Sequence, residues 1–159
     1  MMWTGCVSQN KKKSLDMPVM PKVVLFLCVR NSCRSQMAEG FARVLAPSGT
    51  TIFSAGSQPG KLDQMAVKVM SELNVDISTQ FPKGLGEVPA QKVDAVVTLC
   101  DASQASCPSV PLNARRLHWP VDDPSQVSGS EQERLHAYRA TRDRILKLVC
   151  ELFDVTRPR

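Results

Sequence analysis

The chain is 159 residues long, the size of one ordinary domain, with 43% hydrophobic and 22% charged residues. That composition supplies a single buried core and argues against disorder or low complexity, while no apolar run approaches the ~18–20 residues of a membrane span. The net charge of +5 is unevenly placed: residues 1–22 hold Lys11, Lys12, Lys13 and Lys22 against Asp16, and the other 137 residues carry 16 basic and 14 acidic groups. A nearly balanced body without an aromatic-interleaved basic stripe points away from nucleic acid as a partner.

Residues 1–20 read as a flexible tail ahead of a single domain over 21–159. Met-Met-Trp-Thr-Gly is too short and polar for a secretory h-region, and the lysines follow it instead of preceding it. A cytoplasmic location and a monomer are the expectations. Lys22–Cys28 is a continuous apolar run suited to a central parallel strand. Val29–Cys33 is a short polar turn. From Arg34 the period becomes helical, with Met37, Ala38, Phe41, Val44 and Leu45 on one face, ending before Pro47-Ser48-Gly49. Thr50–Ser54 is a second strand, closed by Ala55-Gly56 and the Pro59-Gly60 turn. Leu62, Met65, Ala66, Val69, Met70 and Leu73 mark a second amphipathic helix.

Pro82–Pro89 is loop-like, and Val93–Leu99 is a third strand. Asp101–Cys107 is small and polar, a loop or one helical turn. Arg115–Trp119 is a fourth strand, and Val121–Ser130 a loop. Ser130 has the character of an N-cap, with Glu131 and Glu133 in the first turn. Leu135, Tyr138, Ile145, Val149 and Leu152 line a long final helix whose basic residues read as a solvated face. The alternation predicts an α/β fold: a small four-stranded, mostly parallel sheet with helices on both faces. In such sheets ligands sit beyond the carboxyl ends of the strands.

The strongest chemical signal is Cys28-Val-Arg-Asn-Ser-Cys-Arg34-Ser35. A cysteine ends a buried strand, five residues turn, and an arginine opens a helix. Such a loop can aim successive backbone N–H groups of Val29, Arg30, Asn31, Ser32 and Cys33 at one centre, an oxyanion nest. Arg34 adds a planar fork for two oxygens of a tetrahedral anion. Cys28, at the base of this positive field, is the candidate thiolate nucleophile. Ser35 can donate to its sulfur, and Asn31 can fix the loop.

Six cysteines are present: Cys6, Cys28, Cys33, Cys100, Cys107 and Cys150. The chain is too well supplied with core to need a disulfide framework. No Cys-x-x-Cys pair suggests zinc, and His118 and His136 lie elsewhere. No metal or other cofactor is expected.

Val24-Leu-Phe-Leu-Cys-Val-Arg-Asn-Ser-Cys-Arg-Ser-Gln-Met-Ala-Glu-Gly40 resembles the arsenate reductases built on the low-molecular-weight protein tyrosine phosphatase fold. Ile52-Phe-Ser-Ala-Gly56, Val96-Val-Thr-Leu-Cys100 through Cys107-Pro108, and His118-Trp-Pro-Val-Asp-Asp-Pro124 are similar to further segments of that family. The resemblance covers about residues 22–154. It implies arsenate as substrate, with phosphate or sulfate as mimics of its shape. It also implies Cys28 as nucleophile, Cys100 and Cys107 as resolving thiols, and Asp123 as general acid, with Asp122 a loop residue. Seven residues of fixed helix would separate Cys100 and Cys107 by about 10 Å, beyond the ~7 Å limit of a disulfide, so that segment must loop out or unwind to oxidise. Cys33 reads as structural and Cys150 as core.

Several members of the family bind potassium. Asn31, Glu39 and Ser54 match three ligand positions, but Lys83 stands at the fourth, where its ammonium can pair with Glu39. No potassium site is therefore expected. Arg30 replaces a usual glycine and must accept that residue's backbone geometry. A basic residue there is seen in glutathione- and glutaredoxin-linked members, whereas the Cys100/Cys107 spacing favours thioredoxin as reductant. Two alternatives remain: a tyrosine phosphatase using the same loop without the relay, and a non-catalytic anion or redox sensor. Ser125-Gln-Val after Pro124 and a single tyrosine disfavour a phosphotyrosine pocket.

Overall fold

A computed structural model describes residues 20–100 and 114–155. The expected tail, apart from Met20, and the Asp101–Cys107 segment with Cys107 lie outside the described residues. In chain order the elements are β1 (Val23–Cys28), α1 (Arg34–Leu45), β2 (Thr51–Gly56), α2 (Gln64–Ser71), β3 (Ala95–Thr98), β4 (Arg115–His118) and α3 (Glu131–Leu152). Strand order is β2-β1-β3-β4, and every pairing is parallel. The chain passes from β1 to β2 on one side and returns to β3 on the other. The order therefore reverses at β1, which places the end of that strand at the crevice where α/β sheets hold ligands.

β1 alternates between two cores. Val24 and Phe26 join the cluster that receives Met37, Phe41, Val69 and Ile145, one or more from each helix. Leu25 and Leu27 face the other way, onto Val88, Val93 and Val96, with Leu85 packed against them. Each of these buried side chains stabilises the fold by about 1.5–3 kcal/mol. All three α-helices thus supply one face. On the opposite face, helical cover among the described residues is reduced to two short 3-10 turns, Leu85–Glu87 and Ala90–Lys92.

The helix ends follow the sequence signals. Asp63 caps α2 by accepting from the Met65 N–H at 2.9 Å. Ser130 caps α3 by accepting from the Glu133 N–H at 3.1 Å. Two expectations fail. Val44 is 52% exposed, because it lies on the flank of the α1 stripe. Arg142 is buried, unlike the solvated arginines expected on α3. It stands four residues after Tyr138 and three before Ile145, on the inward stripe. Its Nη1 donates to the Val69 carbonyl and to Glu72 Oε1, at 2.9 and 2.8 Å, which offsets the desolvation of its charge.

Candidate active site

The loop between Cys28 and Arg34 is shaped by what its carbonyls bond. The Val29, Arg30 and Ser32 carbonyls accept backbone N–H groups of Gln58, Gly60 and Asp63 at 2.8, 2.9 and 2.9 Å. The Asn31 carbonyl accepts Gln36 Nε2 at 2.9 Å. In a trans peptide the C=O and the following N–H point in opposite directions. Four carbonyls drawn outward therefore turn the N–H groups of Arg30, Asn31, Ser32 and Cys33 inward. One of these, from Asn31, donates to Cys28 Sγ at 3.1 Å. The resulting concavity is a backbone anion nest.

The left-handed residue of this turn is Asn31, with φ 52°, a conformation that asparagine tolerates. Arg30 does not adopt it, so the glycine-like geometry expected there is not required. A glycine is needed instead at Gly56. An added Cβ would lie 2.6 Å from the Val29 carbonyl oxygen and 2.9 Å from the Asn31 nitrogen. The end of β2 is thus a backstop on which the loop rests.

Cys28 is 3% exposed, and Ser35 Oγ stands 2.8 Å from its sulfur. Asn31 Nδ2 donates to Ser35 Oγ at 2.7 Å, so the hydroxyl proton is left to point at Cys28. The sulfur therefore faces two donors, a backbone N–H and a hydroxyl, an arrangement suited to a thiolate. Cys33 differs. Burial, and then the Asp63 and Asp123 charges, push its thiol well above the ordinary range. It stays neutral and contributes its backbone to the loop.

Arg34 Nη1 donates to the Val121 carbonyl at 2.9 Å, and Nη2 lies 3.6 Å from Asp123 Oδ2. The anion loop and the acid loop are thereby joined. Asp123 Oδ1 accepts from Ser125 N and Oγ at 3.0 and 2.7 Å, whereas Asp122 is exposed. Val29, Arg30, Ser32, Cys33, Arg34 and Asp123 line a cleft of about 870 Å³ that opens over Cys28. Asn31 lies beneath it, fully buried. Among the described residues, no aromatic side chain lines the cleft.

Cys100 is fully buried. The Leu99 N–H donates to the Leu27 carbonyl at 2.8 Å and carries the β1–β3 pairing past Thr98. Cys100 follows at the same carboxyl edge of the sheet as Cys28. Cys107 lies outside the described residues, so its approach to Cys100 is not seen.

The expected Lys83–Glu39 pairing is present, with Nζ 3.8 Å from Oε1. Glu39 also meets Arg43 Nε at 2.9 Å and the Ser54 hydroxyl. A carboxylate already met by two cations and a hydroxyl does not fit a potassium ligand, and no chemistry here runs through that ion. Sequence reasoning missed Gln36 and Gln80, whose amides support Asn31 and Gln36. It also missed the Tyr138–Asp63 hydrogen bond, which ties α3 to the rim of the cleft. Only Gly56, the last residue of β2, carried a visible signal.

Comparison with known proteins agrees with this geometry. The low molecular weight phosphotyrosine protein phosphatase family matches residues 23–157. The chain belongs to that family. Within it, an arsenate reductase of Halalkalibacterium halodurans is 41% identical over 128 residues, covering 80% of this chain and 92% of that protein. A solved arsenate reductase in the phosphate binding state superposes with a TM-score of 0.70 at 31% identity, covering 83% of this chain and 96% of that one. A Corynebacterium glutamicum thioredoxin-dependent arsenate reductase gives a TM-score of 0.60 at 28% identity, over 87% of this chain and 65% of that one.

Proposed function

We propose that this family member is an arsenate reductase that works by a three-thiol relay and is recycled by thioredoxin. The observation that carries the reading is the convergence of the Asn31 N–H and the Ser35 hydroxyl on Cys28 Sγ, at the floor of a nest shaped for a tetrahedral oxyanion. Relatives named arsenate reductase support it on the substrate side.

In this scheme the inward N–H groups and Arg34 hold the arsenate oxygens. Cys28 attacks arsenic, and the departing oxygen leaves as water with a proton from Asp123. Cys100 then attacks Cys28 Sγ. The S–S bond forms as the Cys28 S–As bond breaks; the two thiols together lose two electrons, and arsenic leaves with the bonding pair as arsenite. Cys107 attacks the Cys28–Cys100 disulfide at Cys100, which frees Cys28. A dithiol reductant returns the Cys100–Cys107 disulfide to thiols. Cys100 is fully buried, so a protein reductant cannot meet it directly, and a third, outward thiol is needed. Thioredoxin as that reductant is favoured by the thioredoxin-dependent neighbour. The cytoplasm, where thioredoxin and glutathione keep thiols reduced, is the compartment this cycle needs.

The test is arsenite formation by the purified chain with thioredoxin, thioredoxin reductase and NADPH, and in parallel with glutathione and glutaredoxin. Wild type is expected to turn over with thioredoxin, Cys28→Ser to be inactive, and Cys107→Ser to stop after one equivalent. Turnover with glutathione and glutaredoxin alone would reassign the reductant. Hydrolysis of an aryl phosphate without any arsenite formation would reassign the chain as a phosphatase, a reading disfavoured by the absence of aromatic side chains from the cleft lining among the described residues.

A further inference from the structure

Four carbonyls of the anion loop are held outward, and three of their donors are backbone N–H groups. The fourth carbonyl, that of Asn31, is held by a side chain, Gln36 Nε2, at 2.9 Å. The same nitrogen lies 3.1 Å from Asn31 Oδ1. Gln36 is fully buried at the start of α1, facing away from the cleft.

The sense of every amide in this cluster is pinned by a backbone group. Gln80 Nε2 donates to the Gln36 main-chain carbonyl at 3.0 Å, so that end of Gln80 is the NH₂. The same nitrogen donates to Gln36 Oε1 at 2.8 Å, which makes the other end of Gln36 the donor toward Asn31. Independently, the Lys83 backbone N–H donates to Asn31 Oδ1 at 2.9 Å. Asn31 Nδ2 is then necessarily the donor to Ser35 Oγ, and Ser35 has its proton left for Cys28. A chain of fixed direction runs from Gln80, at the partly exposed edge, through Gln36, Asn31 and Ser35 to the sulfur. Amide chains of this kind polarise one another and set hydroxyl direction.

We propose that Gln36, oriented by Gln80, is a positioning residue for the nucleophile: it latches both the carbonyl and the carboxamide of Asn31 and so directs the Ser35 hydroxyl at Cys28. Gln36 touches neither the sulfur nor the cleft. The inference rests on Cys28 being the nucleophile but not on arsenate being the substrate. Its test therefore reads the thiol itself.

The experiment is a double-mutant cycle in the full-length chain. It uses Gln36→Met, which keeps the volume and removes both hydrogen-bonding ends, Ser35→Ala, and the pair. The readout is the rate of Cys28 carbamidomethylation by iodoacetamide at pH 7, resolved by peptide mass, with thermal unfolding as the check on folding. Loss of a hydrogen bond to a charged acceptor, damped by the lower nucleophilicity of a better-stabilised thiolate, sets the expected slowing at about fivefold for Gln36→Met. In the Ser35→Ala background the same substitution is expected to cost less than about twofold, because the hydroxyl it acts through is gone. A purely structural role would slow both backgrounds alike. A wild-type rate in Gln36→Met, or full multiplication of the two effects, overturns the proposal. If Gln36→Met does not fold, Gln80→Met removes only the outer amide and takes its place in the same cycle, with about a twofold effect expected in the wild-type background and none with Ser35→Ala. Absence of arsenite formation by the wild-type chain, with the alkylation cycle as expected, would instead count against the arsenate reading and leave the positioning role of Gln36 standing.

Discussion

Gly56→Ala tests whether the anion loop is positioned by the end of β2. The glycine's φ is not in the left-handed region, so backbone conformation does not oppose an alanine there. What opposes it is space. The new Cβ would stand 2.6 Å from the Val29 oxygen, 2.9 Å from the Asn31 nitrogen and 3.0 Å from the Arg30 carbonyl carbon. All three are backbone atoms of the loop, and none can swing aside as a side chain would. The loop must recede by roughly half an ångström, and the Gln58 N–H bond to the Val29 carbonyl is strained with it. Overpacking of this kind costs about 1–3 kcal/mol of stability. Misplacement by ~1 Å can cost 10²-fold in rate, so about a tenfold loss in kcat/KM is expected for half that distance. The assay is initial-rate arsenite formation, with phosphate inhibition as a direct measure of the nest. Gly86→Ala is the control, since nothing lies within 4 Å of its added Cβ. If Gly56→Ala keeps wild-type turnover, phosphate affinity and unfolding temperature, the backstop argument is wrong.

Asp123→Asn removes the proton donor but keeps the shape of the acid loop; turnover is expected to fall about 10²–10⁴-fold while phosphate inhibition changes little. Site-resolved alkylation at neutral pH should label Cys28, with protection by phosphate, and leave Cys33 untouched, because burial and the nearby carboxylates keep that thiol neutral. The same raised Cys33 pKa has a stability consequence. The unfolded chain gives up this proton near its ordinary value of 9.0 and the folded chain does not, so stability should decline as pH rises above about 9, and less steeply in Cys33→Ala. Glu72 is held at about 2 instead of 4.5, chiefly by its hydrogen bond to Arg139. Its contribution is therefore present above pH 4.5 and lost as pH falls toward 2. Arg139→Ala should flatten that acid limb of a denaturation series, with a loss of at most ~1 kcal/mol at neutral pH, since the pair is partly solvated. Tyr138→Phe, which deletes the hydrogen bond to Asp63, should cost about 1 kcal/mol in chemical denaturation.

The fold was legible because its strands and helices speak in different periods. The apolar run ending at Cys28 lies in the centre of the sheet, and the Leu62–Leu73 spacing produced α2, although its ends frayed to Gln64–Ser71. Ser130 announced its own helix. Cys28, Arg34 and Ser35 lie near one another because loop length between a strand and a helix constrains where a short motif can point, whereas Asp123, which lines the same cleft as Cys28 and Arg34, was named only by the family resemblance. Other features were not. Arg142 reads as one more surface arginine until Glu72 and the Val69 carbonyl are brought beneath it by α2, more than sixty residues earlier in the chain. Gln36 reads as an ordinary polar helix residue. Its role depends on Gln80 and on the backbone of Lys83, contacts between positions 44 and 52 residues apart that no local pattern records. The glycine-like geometry expected of Arg30 is misplaced for a similar reason: the turn puts its left-handed residue at Asn31, whose side chain is needed there in any case.

Burial alone does not tell the cysteines apart. Cys28, Cys33, Cys100 and Cys150 are 3%, 5%, 0% and 4% exposed, so each would pass for an inert core thiol. What separates them is the company each sulfur keeps. Cys28 faces an N–H and a hydroxyl whose proton has been steered toward it by an amide. Cys33, five residues on in the same loop, has carboxylates as its leading electrostatic neighbours, with the Arg34 charge opposing them more weakly. The two thiols thus meet contrasting surroundings within one short segment, hydrogen-bond donors at Cys28 and carboxylates at Cys33. This follows from the loop's construction: with its carbonyls pulled outward, the donors collect on the inner side, where Cys28 sits, whereas Cys33 at the helix entrance belongs to the buried core cluster. A cysteine placed before such a loop meets donors. A cysteine placed at its end is buried beside carboxylates.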